Sequence, residues 1–152
     1  MRLWLLAVGK SRPGAHRALY ELYADRLRWP LKLIEVEEKR KLASAQLKAR
    51  EGELLLAQLP QGATLCALDG RGKAETSAGL AALLGKWQDS GVSDLAFAIG
   101  GADGHGETLL ARAHRQISLG AMTWPHMLVR GMLMEQLYRA QQILAGHPYH
   151  RE

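Results

Sequence analysis

The residues best suited to chemistry crowd into the last third of this 152-residue chain. Phe97-Ala98-Ile99-Gly100-Gly101-Ala102-Asp103-Gly104 reads as a buried strand running into a glycine turn. Ser118-Leu119-Gly120-Ala121-Met122-Thr123-Trp124-Pro125-His126 repeats the form, a strand end followed by a glycine turn that closes on proline and histidine. An earlier apolar strand runs into a further glycine-rich turn at Leu68-Asp69-Gly70-Arg71-Gly72-Lys73. Glycine admits close approach to the backbone and accepts positive φ, so three such turns suggest one pocket lined by N–H and C=O groups. The chain closes on His147-Pro148-Tyr149-His150-Arg151-Glu152. An imidazole there can move protons near neutral pH and a guanidinium can hold negative charge. Terminal residues are also commonly frayed, and the groups alone leave both readings open.

Composition narrows the classes. A hydrophobic fraction of 47% supplies an ordinary core and argues against disorder. At this length one domain, residues 1–152, is expected. No apolar run approaches the ~18 residues of a membrane span, and Met1–Gly9 reads as a first strand rather than a signal segment, so the expected location is the cytoplasm. Cys66 is the single cysteine, which excludes an internal disulfide and a cysteine zinc site; in the run Ala63–Leu68 it reads as a buried, inert thiol. The net charge of +5 fits an anionic partner such as nucleic acid, and equally a merely basic protein. No G-x-G-x-x-G follows the first strand and no P-loop occurs. G-x-S-x-G is missing too. The histidines, His105, His114, His126, His147 and His150 among them, lack ligand spacing, so no metal is expected.

The elements that must position these groups follow from periodicity. Leu3–Val8 reads as an apolar strand. Pro13 stands near the start of a helix carrying Ala18, Leu19, Leu22, Tyr23 and Leu27, which Pro30 ends. Leu31–Val36 alternates as a strand. Glu37-Glu38-Lys39-Arg40-Lys41 is a charged loop, first read as solvated surface and second as a phosphate contact. Ser44 caps a helix to Leu59. Ala63–Leu68 is a continuous apolar strand, as in a sheet covered on both faces. Thr76 or Ser77 starts a helix with Leu80, Leu83, Leu84 and Trp87. Asp94–Ile99 is a strand, 107–113 a short helix, Ile117–Leu119 the last strand, and 126–145 the last helix, ended by Gly146 and Pro148. This alternation predicts an α/β fold with a mainly parallel sheet covered by helices. Such sheets bind ligands beyond the carboxyl ends of their strands, where the glycine turns fall. On the last helix, Val129, Leu133, Leu137, Ala140 and Leu144 form a core stripe. Met127, Gly131, Met134 and Tyr138 form a second apolar patch, which predicts either a partner, most simply another copy, or burial on two sides within one domain.

Several stretches together resemble one family. Ile99-Gly100-Gly101-x-x-Gly104, Met122-Thr123-x-Pro125-His126, Glu135-Gln136-Leu137-Tyr138-Arg139-Ala140 and His147-Pro148-Tyr149-His150-Arg151-Glu152, with Ala7-Val8-Gly9-Lys10 and Arg50-Glu51-Gly52-Glu53, are similar to the ribosomal RNA large-subunit methyltransferase H family of the SPOUT superfamily. The resemblance spans the chain and is most specific in its last third. It implies a deep C-terminal trefoil knot within about residues 63–152, a homodimer, and S-adenosylmethionine (SAM) bound in the knot. It further implies N3-methylation of the pseudouridine at position 1915 of 23S rRNA in the assembled 70S ribosome. The family's cofactor positions fall on Leu68, on Gly100 with Gly101, and on Leu119, Gly120, Ala121, Met122, Thr123 and Trp124. For the proton that leaves N3, the candidates are His126, Arg130, Tyr149, His150 and Arg151. Ala102-Asp103 departs from the family's commoner Pro-Glu or Ser-Asn, and Gly120 and Trp124 stand at variable positions. A methyltransferase of another RNA, such as tRNA, and a non-catalytic RNA-binding module are the other readings.

Overall fold

The computed structural model describes residues 1–151. The chain alternates β1 (Arg2–Val8), α1 (Ala15–Ala24), β2 (Leu31–Val36), α2 (Ser44–Ala57), β3 (Thr64–Ala74), α3 (Ser77–Asp89), β4 (Asp94–Ile99), α4 (Glu107–Arg112), β5 (Arg115–Ser118) and α5 (His126–Leu144). The five strands form one sheet in the order β2-β1-β4-β3-β5, and every pairing is parallel. The apolar runs of β1, β3 and β4 face two cores at once. Leu3, Leu5, Ala7, Cys66, Leu95, Phe97 and Ile99 pack with Leu80, Leu84, Leu133, Met134 and Leu137 of α3 and α5. Leu6, Val8, Leu65, Ala67, Ala96 and Ala98 pack with Leu55 of α2 and with Leu109 and Leu110 of α4. Successive strand residues point to opposite faces, so a sheet covered on both sides needs uninterrupted apolar strands. Cys66 is fully buried, and desolvation pushes its thiol up to about 12, as an inert thiol requires.

Thr76 caps α3, its hydroxyl accepting from Gly79 N at 2.9 Å. Ser44 does not cap α2; Ala43 stands at that position without a side-chain bond. In α1, Leu22 lies 47% exposed rather than inward, and the helix ends at Ala24, three residues short of Leu27.

Two larger departures bear on the site. Residues 69–73 are no turn, because β3 runs on to Ala74. Leu68 and Lys73 both pair with Ile117, so residues 69–72 bulge out of the ladder between them. Gly72 is required there: a Cβ would stand 2.6 Å from the backbone of Gln116 and Ile117. The second patch of α5 is also not a free surface. Met134 is fully buried in the chain's own core. At Gly131, α1 comes so close that a Cβ would meet Leu19 at 2.7 Å. The helix is covered on two sides within one domain, and the expected core residue Leu144 is instead 44% exposed.

Candidate active site

A cavity of about 430 Å³ opens beyond the carboxyl ends of β4 and β5 and beside the bulge within β3. Leu68, Ile99, Ile117 and Val129 give it an apolar wall, and Gly100 with Gly101 forms one rim. The loop from Leu119 to Trp124 forms the opposite rim. All nine positions expected to hold a cofactor therefore line a single space, brought together by two strand ends and the bulge of β3, far apart in sequence.

The rims are held by backbone chemistry. Gly104 N donates to Gly101 O at 3.0 Å, and Gly104 has φ +80°, a left-handed conformation that suits glycine. A Cβ on Gly100 would stand 2.9 Å from the Gly104 carbonyl carbon and 3.3 Å from His105 Nδ1. A valine at position 100 would thus disrupt this turn rather than simply fill the cavity. His105, 3% exposed, supports the turn from beneath, donating from Nε2 to Ala98 O at 3.2 Å. Desolvation holds its imidazole below the usual histidine value, consistent with a neutral ring. Glu51 lies behind Gly101, where an added Cβ would meet Oε2 at 2.9 Å. Its carboxyl is pushed up by burial and by the Asp103 charge, and Oε1 has no hydrogen-bond partner. On the facing rim, Ser118 Oγ donates to Gly120 O at 2.9 Å, and Trp124 Nε1 donates to Leu119 O at 3.3 Å. At the cavity's edge Asp69 accepts from Arg71 Nε at 2.9 Å; burial disfavours this carboxylate, but the Arg71 hydrogen bonds outweigh it and hold the carboxyl below its usual range.

Of the five residues considered for proton handling, His126 alone lines this cavity. It opens α5 and stands beside Gly9, where a Cβ would lie 3.5 Å from Nε2. Desolvation and then the Arg130 charge hold its imidazole below the usual value. The positive end of the α5 dipole acts in the same direction.

Arg130 does different work. Its side chain is 2% exposed; it pairs with Glu35 and donates to the carbonyls of Val8 at 3.2 Å and Gly9 at 2.8 Å. It thereby ties α5 to the ends of β1 and β2. Burial works against the Glu35 carboxylate, but the bonds from Arg130 and from Ser11 N outweigh it and lower its carboxyl. Arg130→Ala should lower stability by about 3 kcal/mol, the low end for a broken buried pair because Glu35 is partly exposed. With the folded carboxyl below its unfolded value, the pair's contribution is complete above the unfolded range. It is lost as pH falls through the folded value. Denaturant melts from pH 7 down to 3 check this: the gap between wild type and Arg130→Ala should narrow with acid.

The tail lies elsewhere. Tyr149 packs edge-on against Tyr138 with ring centroids 4.8 Å apart and donates to Glu135 Oε1 at 3.2 Å. The Arg139 guanidinium sits 4.9 Å over its ring. Burial, with Tyr23 and Glu135 nearby, pushes the phenol up to about 12. His150 Nδ1 lies 3.2 Å from Arg139 Nη1, and Arg151 is exposed. None of the three lines the cavity of their own chain. Sequence reasoning missed His105 as a support for the glycine turn, having considered it only as a metal ligand. It noted Glu51 only inside a motif, since nothing in local spacing brings α2 to Gly101.

Comparison with known proteins agrees with this architecture. A family model described as "Predicted SPOUT methyltransferase" matches residues 1–150. A protein of Rhodospirillum centenum named ribosomal RNA large subunit methyltransferase H is 58% identical over 99% of both chains. One of the same name from Paramagnetospirillum magneticum is 57% identical over 99% of both. Among solved structures, a Legionella pneumophila protein in complex with the bound cofactor SAM is similar in fold, with a TM-score of 0.51 and 12% identity. The match covers 92% of this chain and 66% of that one. With a family model spanning nearly the whole sequence and full-length relatives this similar, the chain belongs to the ribosomal RNA large subunit methyltransferase H family of SPOUT methyltransferases.

Proposed function

We propose that this chain uses SAM, held in the cavity between the β3 bulge and the ends of β4 and β5, to methylate N3 of pseudouridine 1915 of 23S rRNA within the assembled 70S ribosome. The observation that carries the reading is the convergence of Leu68, Gly100 and 119–124 on one cavity with His126 at its edge. The names of the full-length relatives supply the substrate class.

The residues present fit that cofactor. About 430 Å³ falls within the range of small-ligand pockets, which are mostly apolar with a few polar anchors. Leu68 and Leu119 offer apolar surface for an adenine, and the glycine rims offer bare backbone groups. Lys48 and Asp103, which also line the cavity, offer charges of both signs to an amino-acid end. SAM supplies an electrophilic methyl group on a sulfonium.

In the reaction one C–S bond breaks, one C–N bond forms at N3, and the N3 proton leaves. The chain must align the base with the methyl group, which supplies much of the acceleration of an in-line displacement. It must also accept the proton. His126, kept neutral by burial and by Arg130, has the free lone pair for that step.

A homodimer belongs to the same reading. A groove of about 520 Å³ lies on the far side of Ser118–Gly120, lined by Leu19, Tyr23, Leu80, Met132 and Glu135. It offers a seat for a second copy beside the tail. Tyr149, His150 and Arg151 stand away from their own chain's cavity, so a second copy would be needed to bring them to a reaction. The C-terminal knot, a single domain over 1–152 and a cytoplasmic location complete the proposal. No helix among the described residues is long and apolar enough to cross a membrane, and they hold no cluster of three metal-ligating side chains.

Calorimetry tests the cofactor half of this reading. The purified protein should bind SAM and its demethylated product at one site per chain. A folded protein that binds neither would overturn it.

A further inference from the structure

A second cavity, of about 380 Å³, lies at the end of β1. Lys10, Ser11, Arg12, Arg17 and Tyr20 line it on one side, and Met127 and Arg130 of α5 on the other. His126 and Met127 are consecutive residues of α5, one lining each cavity, with Gly9 packed against both. From this arrangement we propose that the second cavity binds a backbone phosphate of the RNA strand that presents the target base, an inference that rests on the methyl-transfer reading.

Three observations carry it. The first is the state of the cations. Arg40 folds back on Glu38, Arg71 on Asp69 and Lys73 on Glu75, which among the described residues leaves Lys39 and Lys41 as the unpaired cations of these loops, and they line neither cavity. Arg17 pairs with Glu21, and Glu35 is taken up by Arg130 and Ser11 N. Among the described residues, Lys10 and Arg12 are within ion-pair distance of no carboxylate, and both line this cavity.

The second observation is the start of α1. Gly14 caps this ten-residue helix without a side-chain bond, and its first turn holds no acidic residue. Ala18 N makes the first intrahelical bond, to Gly14 O. The preceding first-turn N–H groups therefore lack intrahelical partners, and such groups favour phosphate.

The third is Arg130, nine-tenths buried and forming part of the wall. Its Nε has no hydrogen-bond partner, and its attachment to Val8 and Gly9 keeps a guanidinium fixed there. The cavity adjoins the His126 edge of the active site, and such phosphate contacts position a strand without reading its sequence.

The test combines a probe and a variant. Titrating the wild-type protein with inorganic phosphate, and separately with dimethyl phosphate as a diester, should move the amide resonances of Ser11, Ala15, His16 and Arg17. Binding of a 23S rRNA fragment should then be measured against salt for wild type, for Lys10→Ala/Arg12→Ala, and for Lys86→Ala as a control cation on α3. The double variant should bind SAM as wild type does. Its RNA affinity should fall, and the slope of log K against log salt should drop by about 1 to 2, with Lys86→Ala close to wild type. In turnover the loss should appear in KM more than in kcat. Unmoved amides, or a double variant with the slope of Lys86→Ala, would overturn the proposal. Response to inorganic phosphate but not to the diester would identify a free-anion site instead and also overturn it. Neither readout depends on methyl transfer, so a failure of the phosphate site and a failure of the enzymatic reading are separable.

Discussion

His126→Ala should lower methyl transfer by roughly 10²- to 10⁴-fold, the usual worth of a positioned acid–base group, while SAM affinity changes little. The side chain lines the cavity yet contributes to its edge rather than to its apolar wall. It stands at the first residue of α5, where alanine is a good helix former. Because burial and Arg130 hold the imidazole below its ordinary value, wild-type kcat/KM should be level above pH 7. It should fall on the acid side, below the ordinary histidine pKa of about 6.5. His126→Gln should lose that acid limb along with the rate. A near-normal rate in either variant would move proton acceptance to His150 in the tail, with Arg151 left to stabilise charge on N3. A merely structural histidine would leave the pH profile unchanged.

The second large effect belongs to Val129→Trp. Val129 sits in the first turns of a long helix, half-buried, with one side on the core and one on the cavity. A larger ring there has the cavity to enter. Overpacking costs about 1–3 kcal/mol, and a loss of that size in binding is roughly 5- to 150-fold in Kd. Calorimetry with SAM reads this directly, and a melting curve confirms that the variant folds. This position reports on occupancy more cleanly than Gly100, whose Cβ would strike the Gly104 backbone instead of ligand space. Wild-type affinity in a folded Val129→Trp would place the cofactor elsewhere.

Much of this arrangement was legible in the residues. Strand β4 was read at its observed limits, because a sheet covered on both faces leaves the simplest of patterns, an apolar run ended by glycine. Of the two residues offered for the start of its helix, Thr76 is the one that caps it. The convergence of Gly100 and Leu119 followed from parallel strands sharing one carboxyl edge, and Leu68 joins them from within β3, just before its bulge.

What failed was long-range in origin. The Asp69–Lys73 stretch has turn composition, but β5 reaches across to pair with Leu68 before it and with Lys73 at its end, and no local pattern records that partner. The patch at Met127, Gly131, Met134 and Tyr138 was correctly seen as a second apolar face of α5. Periodicity shows that a face needs covering, not by what, and α1 with Leu19 supplies the cover at Gly131. Arg130 looked like a reactive cation near the site; its carbonyl partners come from the end of β1, more than a hundred residues away. The tail read as a free end, yet Tyr149 is fixed by Tyr138, Arg139 and Glu135. Removing residues 149–152 therefore costs some packing as well as any role in turnover.

The central claim is that the cavity beside His126 serves methylation of one base in large-subunit RNA. The most direct measurement is to incubate the purified protein with 70S ribosomes from a strain lacking its gene, using SAM with an isotopically labelled methyl group, and to digest the RNA for mass spectrometry. The label should appear in a single 23S rRNA fragment as N3-methylpseudouridine at position 1915, and far more slowly on protein-free 23S rRNA. Label found only in tRNA, or in no RNA at all from a protein that binds SAM, would contradict the account.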